Sequence, residues 1–230
     1  MFSVISAIFE PFVFLIEKGF SLYLSVTGSP GLSIILTSAT FSIAVFPLQR
    51  WCKRFENRIG DLHEKVKGEI SDLNRELRGE ERFNEIEKIY SRHNYHPIHS
   101  IVLGLSFLVS VPFLIASVLL FNESNIVAGA EFLFIDDLSL PDGTLQLDYI
   151  TVNILPLILF IFTFFDAWLR YRESPTTRHR FVIISIILTV LVYAMPAGLL
   201  LYWIGANAMS FVAYQASTLK GAFRKNRRHA

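Results

Sequence analysis

Positively charged residues in this chain lie almost entirely in alternate connections between long apolar runs. Four runs contain no charged residue: 19–49, 98–121, 149–165 and 181–219. All of the 21 Lys and Arg residues except Lys18 fall in three segments, namely 50–92, 170–180 and 220–228. The remaining long connection, 122–149, carries six acidic residues and no basic residue. Because basic connections stay on the cytoplasmic side during insertion, this distribution predicts a membrane protein with a defined orientation.

The apolar runs predict five membrane-spanning helices. A span needs about 20 apolar residues, whereas the run 181–219 as one helix would be close to 60 Å long. The segment Met195–Gly198, which contains Pro196, is the expected turn within that run. The predicted fold class is an all-α integral membrane protein with its N-terminus outside and its C-terminus inside. The five spans are predicted at 29–49, 97–121, 149–169, 181–195 and 197–217.

Residues 1–28 are predicted to form an amphipathic helix in the outer membrane interface, with a kink at Pro11. Polar residues share one helical face, and the opposite face carries apolar residues that include Ile16 and Phe20. A sixth spanning helix is the alternative interpretation. A signal peptide is not expected, since no Lys or Arg precedes the apolar stretch and no cleavage pattern follows it.

The segment 50–96 is strongly charged. Apolar residues from Ile59 to Leu77 recur every three or four positions, which is typical of a coiled-coil seam. Gly79 is expected to end this helix, and a second apolar stripe follows before Pro97. The pattern predicts a cytoplasmic antiparallel helical hairpin, most of whose charges face solvent.

The outer loop, 122–148, combines apolar and acidic residues. The apolar patch Phe132–Ile135 precedes Asp136 and Asp137, and a Pro141–Gly143 turn follows. This pattern predicts a short helix that dips into the outer interface. The paired acids lack the glycine-spaced ligands of a calcium loop, so no metal site is predicted there.

Polar side chains recur on particular faces of the predicted spans. Ser38 and Ser42 lie one turn apart, as do Ser106 and Ser110, so each pair shares a helical face. Two interpretations stay open for such residues: they line a polar groove, or they allow close helix packing. The third to fifth spans, within 149–219, add further polar candidates: Asn153, Thr163, Asp166, Trp203 and Asn207.

Asp166 is the ionisable residue nearest to the interior of a predicted span. An intramembrane carboxylate favours a functional role. The alternative is an acid at the interface that pairs with Arg170 or Arg172.

The sequence shows no arrangement typical of an enzyme. His93, His96 and His99 recur every three residues, but Pro97 interrupts the helix that a metal site would need. The single cysteine, Cys52, predicts no disulfide. Neither a nucleophilic triad nor a phosphate-binding glycine loop is present. We therefore expect no catalytic residue, cofactor, metal or nucleotide.

Several short motifs occur together in the order and spacing of one protein family. In chain order they are Phe46-Pro47-Leu48, His96-Pro97-Ile98, Val111-Pro112-Phe113, Phe134–Ser139, Ser174–Thr177 and Met195–Ile204, the last continuing through Asn207 to Gln215. Each motif alone is weak, but the ordered series from about residue 5 to 220 resembles the YidC-type membrane protein insertases.

The resemblance implies a protein that inserts hydrophobic segments into membranes through a polar, water-filled groove open to the cytoplasm and to lipid. Such a groove lowers a barrier, because an unsatisfied backbone group in hydrocarbon costs several kcal/mol. The candidate groove residues are Ser38, Ser42, Ser106, Ser110, Asn153, Thr163, Asp166, Trp203 and Asn207.

The resemblance also implies partners and a location. The partners are nascent membrane protein clients, the lipid bilayer and the general secretory channel. The basic tail 220–230 is short, which predicts weak or no ribosome contact. A multi-pass protein of a bacterial inner membrane is expected, which fits the absence of an organellar targeting extension, and a mature organelle protein is the alternative.

The sequence departs from the family pattern at Ser42. The family usually has an arginine five residues before the Pro-Leu that closes the first core span, and Ser42 takes that position. Arg50 lies about 12 Å further along the helix. Similarly, Ser110 stands where a glutamine is common. The departure predicts poor handling of clients with acidic tails. It also keeps open an alternative, a non-insertase paralogue that serves as an assembly subunit of a larger membrane complex.

Overall fold

The computed structural model describes most of the chain as two compact units. The described residues are 2–76, 78–96, 105–123, 125–147, 150–170 and 175–226. The first unit comprises Met1–Ala44 and Pro112–Ala230, and the second comprises Val45–Val111.

The described residues form eight α-helices, one 3₁₀ turn and one β-hairpin. The helices are α1 (Phe2–Thr27), α2 (Pro30–Glu76), α3 (Gly79–Arg92), α4 (Leu105–Leu108), α5 (Val111–Glu123), α6 (Ile154–Arg170), α7 (Pro175–Val192) and α8 (Ala197–Asn226). The 3₁₀ turn is Asn125–Val127, and the strands are β1 (Leu145–Leu147) and β2 (Ile150–Val152).

Two helices in the described part of the chain are long and apolar enough to cross a membrane. They are Pro30–Leu73 within α2 and Ala197–Ala216 within α8. Three shorter apolar helices, Val111–Asn122, Ile154–Leu169 and Phe181–Val192, fall within the other predicted spans. The largely helical fold is confirmed, whereas five spans and their orientation remain predictions.

The break inside the last apolar run lies where the sequence predicted it. Helix α7 ends at Val192 and α8 begins at Ala197, directly after Pro196. The first backbone amides of α8 would lack partners within their own helix. The outer loop accepts two of them, since Ala197 N donates to Leu140 O and Gly198 N to Leu138 O, both at 2.8 Å.

The outer loop differs from the predicted short helix. Phe132 and Ile135 form an isolated antiparallel bridge with two backbone hydrogen bonds of 2.9 and 3.0 Å. Leu133, inside this turn, has a φ of 55°. The Phe132 ring packs directly on Gly31, where any side chain would collide with it. The helix prediction was wrong because the apolar residues are used for a tight turn that packs on α2.

The all-α prediction also missed the short hairpin before α6. Leu145 pairs with Val152 and Leu147 with Ile150 in antiparallel register. The third apolar helix consequently begins at Ile154 rather than near 149. Buried Asp142 caps this helix, as its Oδ2 accepts from Ile154 N at 2.6 Å and from Leu155 N at 3.3 Å.

In the first unit, aromatic and aliphatic side chains pack α1, α2, α5 and α8 together. The Phe113 ring lies 5.2 Å from the Phe12 ring and 5.6 Å from the Phe41 ring. Ile16 and Phe20 of α1 are fully buried in this core. The predicted apolar face of α1 thus packs on the protein, and the helix continues through Pro11.

In the second unit, α2 and α3 pair as an antiparallel helical hairpin. Val66, Ile89 and Tyr95 form its buried cluster. The His93 Nε2–Glu69 Oε1 distance is 2.7 Å, and the His63 Nδ1–Tyr95 hydroxyl distance is also 2.7 Å. Helix α2 continues through Pro47 from the apolar run into the charged run. The predicted division between the first span and the hairpin, at residues 49 and 50, is therefore not the end of a helix.

The predicted second span is divided in the described residues. A turn at Val109 and Ser110 separates α4 from α5. Pro112 explains why one helix does not continue through this point, since proline has no N–H to donate to Leu108 O and its ring would clash with that carbonyl. Residues 97–104 of that span, and with them His99, lie outside the described residues.

Candidate functional site

The first unit brings Ser38 and Ser42 of α2 against Gly205 and Ala206 of α8. We call these four residues the α2–α8 seam. A β-carbon at Gly205 would collide with Ser38 Oγ, so the two helices approach as closely as a glycine allows. Ser38 is fully buried, and its hydroxyl donates to Ile35 O at 2.8 Å. The second interpretation of small polar residues, close helix packing, therefore describes Ser38.

Ser42 lies one turn further along and is half-buried. Its hydroxyl oxygen is 2.8 Å from Ser38 O of its own helix and 3.4 Å from Ala206 O across the seam. The shorter bond satisfies the hydroxyl within α2, so Ser42 brings weak polarity and no charge to the position where the family usually has arginine.

Asn207 and Trp203 lie one turn apart on α8. Asn207 is exposed, and its Nδ2 donates to Trp203 O at 2.8 Å. Trp203 Nε1 donates to the buried Ser117 hydroxyl of α5 at 3.0 Å. An exposed amide in an apolar helix is unusual, because an amide in hydrocarbon needs hydrogen-bonding partners.

Ser117 was not among the predicted residues. Its hydroxyl connects α5 to α8 through the Trp203 indole and also donates to Leu114 O at 2.7 Å. The signal in the sequence was its seven-residue spacing from Ser110, which would place both serines near one face of the continuous helix predicted for this span.

Ser106 and Ser110 belong to the second unit, where they bond within that unit. Ser110 Oγ accepts from Gln49 Nε2 at 2.6 Å. The Ser106 backbone amide donates to Glu56 Oε1 at 2.6 Å. Their predicted place in a groove with the first-unit residues remains a prediction.

Glu56 is a buried carboxylate that the sequence analysis did not single out. Its side chain is 3% exposed, and Lys53 Nζ lies 2.8 Å from its Oε2. Burial raises the pKa of Glu56, but the Lys53 ammonium and the Ser106 hydrogen bonds outweigh this, so that the pKa lies below its ordinary value. The only signal in the sequence was the three-residue spacing of Lys53 and Glu56, which is common for ion pairs on the surface of a helix.

Asn153, Thr163 and Asp166 are the candidates at or on α6. Asn153 precedes the helix and is buried: its Oδ1 accepts from Gly143 N at 3.0 Å, and its Nδ2 donates to Tyr193 O at 2.8 Å. It thus joins the outer loop to the end of α7, instead of lying inside a span as predicted. Thr163 donates to Leu159 O and Phe160 O of its own helix. Asp166 is half-buried.

Asp137, one of the two adjacent acids of the outer loop, accepts hydrogen bonds from within the loop. Asp137 Oδ1 accepts from the Ser139 hydroxyl at 2.7 Å, from Ser139 N at 2.8 Å and from Gly129 N at 3.1 Å. The Ser139 hydroxyl and amide therefore hold the pKa of Asp137 below its usual range. No group of three or more metal-ligating side chains occurs among the residues that the structure describes.

Comparison with known proteins places these features in a family. The model of the 60Kd inner membrane protein family matches residues 21–221. Proteins called membrane protein insertase YidC are similar over most of the chain: the one from Chlamydia muridarum is 27% identical over 94% of this chain and 28% of its own length. Membrane protein insertase YidC 1 from Streptococcus pyogenes serotype M1 is 23% identical over 83% of this chain and 67% of its own length.

The chain thus spans only about a quarter of the length of the Chlamydia relatives. The family match nevertheless includes all of α2, α8 up to residue 221 and every residue of the seam between them. The chain belongs to the 60Kd inner membrane protein family, which comprises the YidC-type membrane protein insertases.

Proposed function

We propose that this protein is a membrane protein insertase or membrane chaperone that lowers the barrier for hydrophobic segments to enter the bilayer. The observation that carries the proposal is the family match across the α2–α8 seam, together with the exposed Asn207 amide in apolar α8. The predicted clients are nascent membrane proteins, and the predicted membrane is the bacterial inner membrane.

The proposed mechanism follows from the cost of desolvation. A polar client tail loses its hydrogen bonds to water when it enters hydrocarbon, at several kcal/mol per unsatisfied backbone group. Polar side chains and water beside α8 would replace part of those bonds. The apolar part of the client then gains about 0.8 kcal/mol for each methylene that it buries in lipid. No nucleotide or cofactor is needed for such a transfer.

The direct test is replacement of a general insertase in a bacterium depleted of its own. We expect expression of this chain to restore growth and the insertion of a single-span client. An inactive Asn207→Leu variant, expressed at the same level, would assign the activity to α8. Failure of the wild-type chain to restore insertion, despite correct membrane localisation, would contradict the proposal.

Ser42 sets the expected client range. Without an arginine at this position, we expect clients with acidic tails to be inserted less efficiently than clients with neutral tails. Ser42→Arg should reduce that difference severalfold, because it adds a positive charge beside α8 that attracts the acidic tail. Ser185→Arg, which adds the same charge on α7, is the matched control. Equal insertion yields for both tails in the wild type and in Ser42→Arg would refute this expectation.

A second candidate function is that of an assembly subunit in a larger membrane complex. It is favoured by the position of Ser42, whose hydroxyl bonds to its own helix and approaches Ala206 O, as in helix packing. A subunit should co-purify in fixed stoichiometry with one partner and should not restore insertion in depleted cells. An insertase should show the opposite pair of results.

A further inference from the structure

Helix α2 carries an exposed aromatic and basic strip directly after its predicted span. Trp51 is 59% exposed and Phe55 is 48% exposed, and their ring centroids lie 6.1 Å apart. Arg50, Arg54 and Arg58 are also exposed. We call these five residues the Trp51–Arg58 strip.

Helical geometry orders this strip into two adjacent stripes. At 3.6 residues per turn, Trp51 and Phe55 lie close together on the helix surface, and the three arginines follow side by side along one edge of them. The opposite face of α2 is occupied, because Cys52 and Glu56 are buried there. The strip is therefore the solvent-exposed or lipid-exposed side of this part of α2.

The arginines of the strip are available to an external anion. No carboxylate of a described residue lies within 4.0 Å of Arg50, Arg54 or Arg58. Lys53 differs, since its ammonium is paired with Glu56 on the other face. The strip thus has three guanidinium groups beside two exposed rings. Glu56, the acid nearest to these arginines along the helix, is paired with Lys53 instead.

The position of the strip along the helix corresponds to a membrane interface. Arg50 lies about 1.5 Å, and Arg54 about 7.5 Å, beyond Gln49 at the end of the predicted span. One interfacial layer of a bilayer is roughly 5–8 Å thick. Arg58 lies further on, but side chains of an α-helix tilt toward its N-terminus, which here is the side of the predicted span, and the arginine chain is long enough to shorten this distance.

We propose that the Trp51–Arg58 strip is a binding site for anionic phospholipid headgroups of the inner leaflet. The tryptophan ring suits the boundary between acyl chains and headgroups. Guanidinium groups bind phosphate oxygens through paired hydrogen bonds. A strip of this kind holds α2 at a defined depth. The proposal depends on the predicted orientation and is independent of insertase activity.

Photocrosslinking in vesicles tests the site. The photoreactive residue benzoylphenylalanine replaces Phe55, and the protein is reconstituted in equal amounts of phosphatidylglycerol and phosphatidylcholine. We expect phosphatidylglycerol adducts to exceed phosphatidylcholine adducts by about fivefold, the ratio that corresponds to about 1 kcal/mol for one arginine contact. The same probe at exposed Phe83 of α3 should give a ratio near one.

Matched variants separate this site from general attraction by charge. Replacing Arg50, Arg54 and Arg58 with glutamine should bring the ratio at position 55 close to one. Replacing exposed Lys65, Lys67 and Arg82 with glutamine removes the same charge and should leave the ratio high. Replacing the three strip arginines with lysine should retain most of the enrichment.

Three results would overturn the proposal. The first is a ratio near one at position 55 when all three strip arginines are present. The second is an enrichment that both glutamine triples reduce equally. The third is that an added client with an acidic tail takes over the crosslink, which would assign the strip to protein segments and not to lipid.

Discussion

The two units satisfy their polar side chains in different ways. In the apolar helices of the first unit, hydroxyl groups donate mainly to carbonyls of their own helix, as Thr37 does to Ser33 O at 2.6 Å and Thr189 does to Ser185 O at 2.7 Å. In the second unit, Lys53 and Glu56 pair within α2, but other polar groups bond between elements, as in the Gln49–Ser110 and His93–Glu69 contacts.

This difference shows what specifies each unit. A hydroxyl that bonds to its own helix keeps that bond when the helices separate, so it adds little to their association. Helices in lipid associate through close packing of small residues, which the Gly205–Ser38 contact provides. A bond between elements is lost on separation, so the second unit depends on its polar pairs. We therefore expect the first unit to be sensitive to added volume and the second to lost polar atoms.

The largest expected effect is that of Gly205→Ala. The added methyl group would collide with Ser38 Oγ in a fully buried site, and overpacking of this kind costs about 1–3 kcal/mol. Unfolding with sodium dodecyl sulfate in mixed micelles measures the loss. The control is Gly68→Ala at an exposed position of α2, where no described residue outside the surrounding helix turns comes within 4 Å of the new methyl group. A gain of about 1 kcal/mol is expected there.

Ser38→Ala tests whether the collision with Ser38 Oγ causes the loss of stability in Gly205→Ala. Alone, this change should cost little, because the one hydrogen bond of the hydroxyl to a described residue is with Ile35 O of its own helix. Combined with Gly205→Ala, it should recover most of the lost stability, since the colliding oxygen is gone. If Ser38→Ala alone is as damaging as the loss of a polar atom in the second unit, the contrast between the units fails.

Hydropathy locates the apolar segments of α6, α7 and α8 because this signal is local, and Pro196 locates the turn before α8. Hydropathy does not report the turn that separates α4 from α5 within the second predicted span. The outer loop is different: the apolar run Phe132–Ile135 favours a helix locally, but packing of Phe132 on Gly31 decides its conformation. That contact joins residues about one hundred positions apart, and no local pattern reports it.

The candidate site shows the same limit. Ser42 and Asn207 could be identified from polarity in apolar runs and from the family motifs. Glu56 could not, because its burial arises from contact with Ser106, fifty residues away. Hydropathy predicts Asn153 inside a span, whereas its side-chain amide hydrogen-bonds to Tyr193 O and Gly143 N directly before α6.

A smaller effect is expected for Glu56→Gln, which tests whether the second unit depends on its polar contacts. Glutamine keeps an oxygen for the Ser106 amide but removes the charge that strengthens the bonds to Ser106 and Lys53. We expect a loss of about 1.5 kcal/mol at neutral pH. Amide hydrogen exchange across α2 and α3 would report this as faster opening of the second unit, with little change in α8.

The effect of Glu56→Gln should disappear in acid. The pKa of Glu56 is lowered in the folded state from an ordinary value of 4.5. Its charge therefore stabilises the fold fully above about pH 4.5, and this contribution is lost as the pH falls through the folded pKa. Exchange at pH 7 and near pH 3 should show the wild type approaching the variant. A constant difference at both pH values would mean that the carboxylate charge is not responsible.

The smallest expected effect concerns the Tyr95 hydroxyl. Tyr95→Phe removes the 2.7 Å contact with His63 Nδ1 but keeps the ring that lies 5.5 Å from the Tyr90 ring, so a loss of about 0.5–1 kcal/mol is expected. Hydrogen exchange in α3 measures it. Tyr90→Phe is the matched control, since the Tyr90 hydroxyl has no hydrogen bond to a described residue. If both changes accelerate exchange equally, the hairpin is stabilised by its apolar cluster, and the second unit follows the same rule as the first.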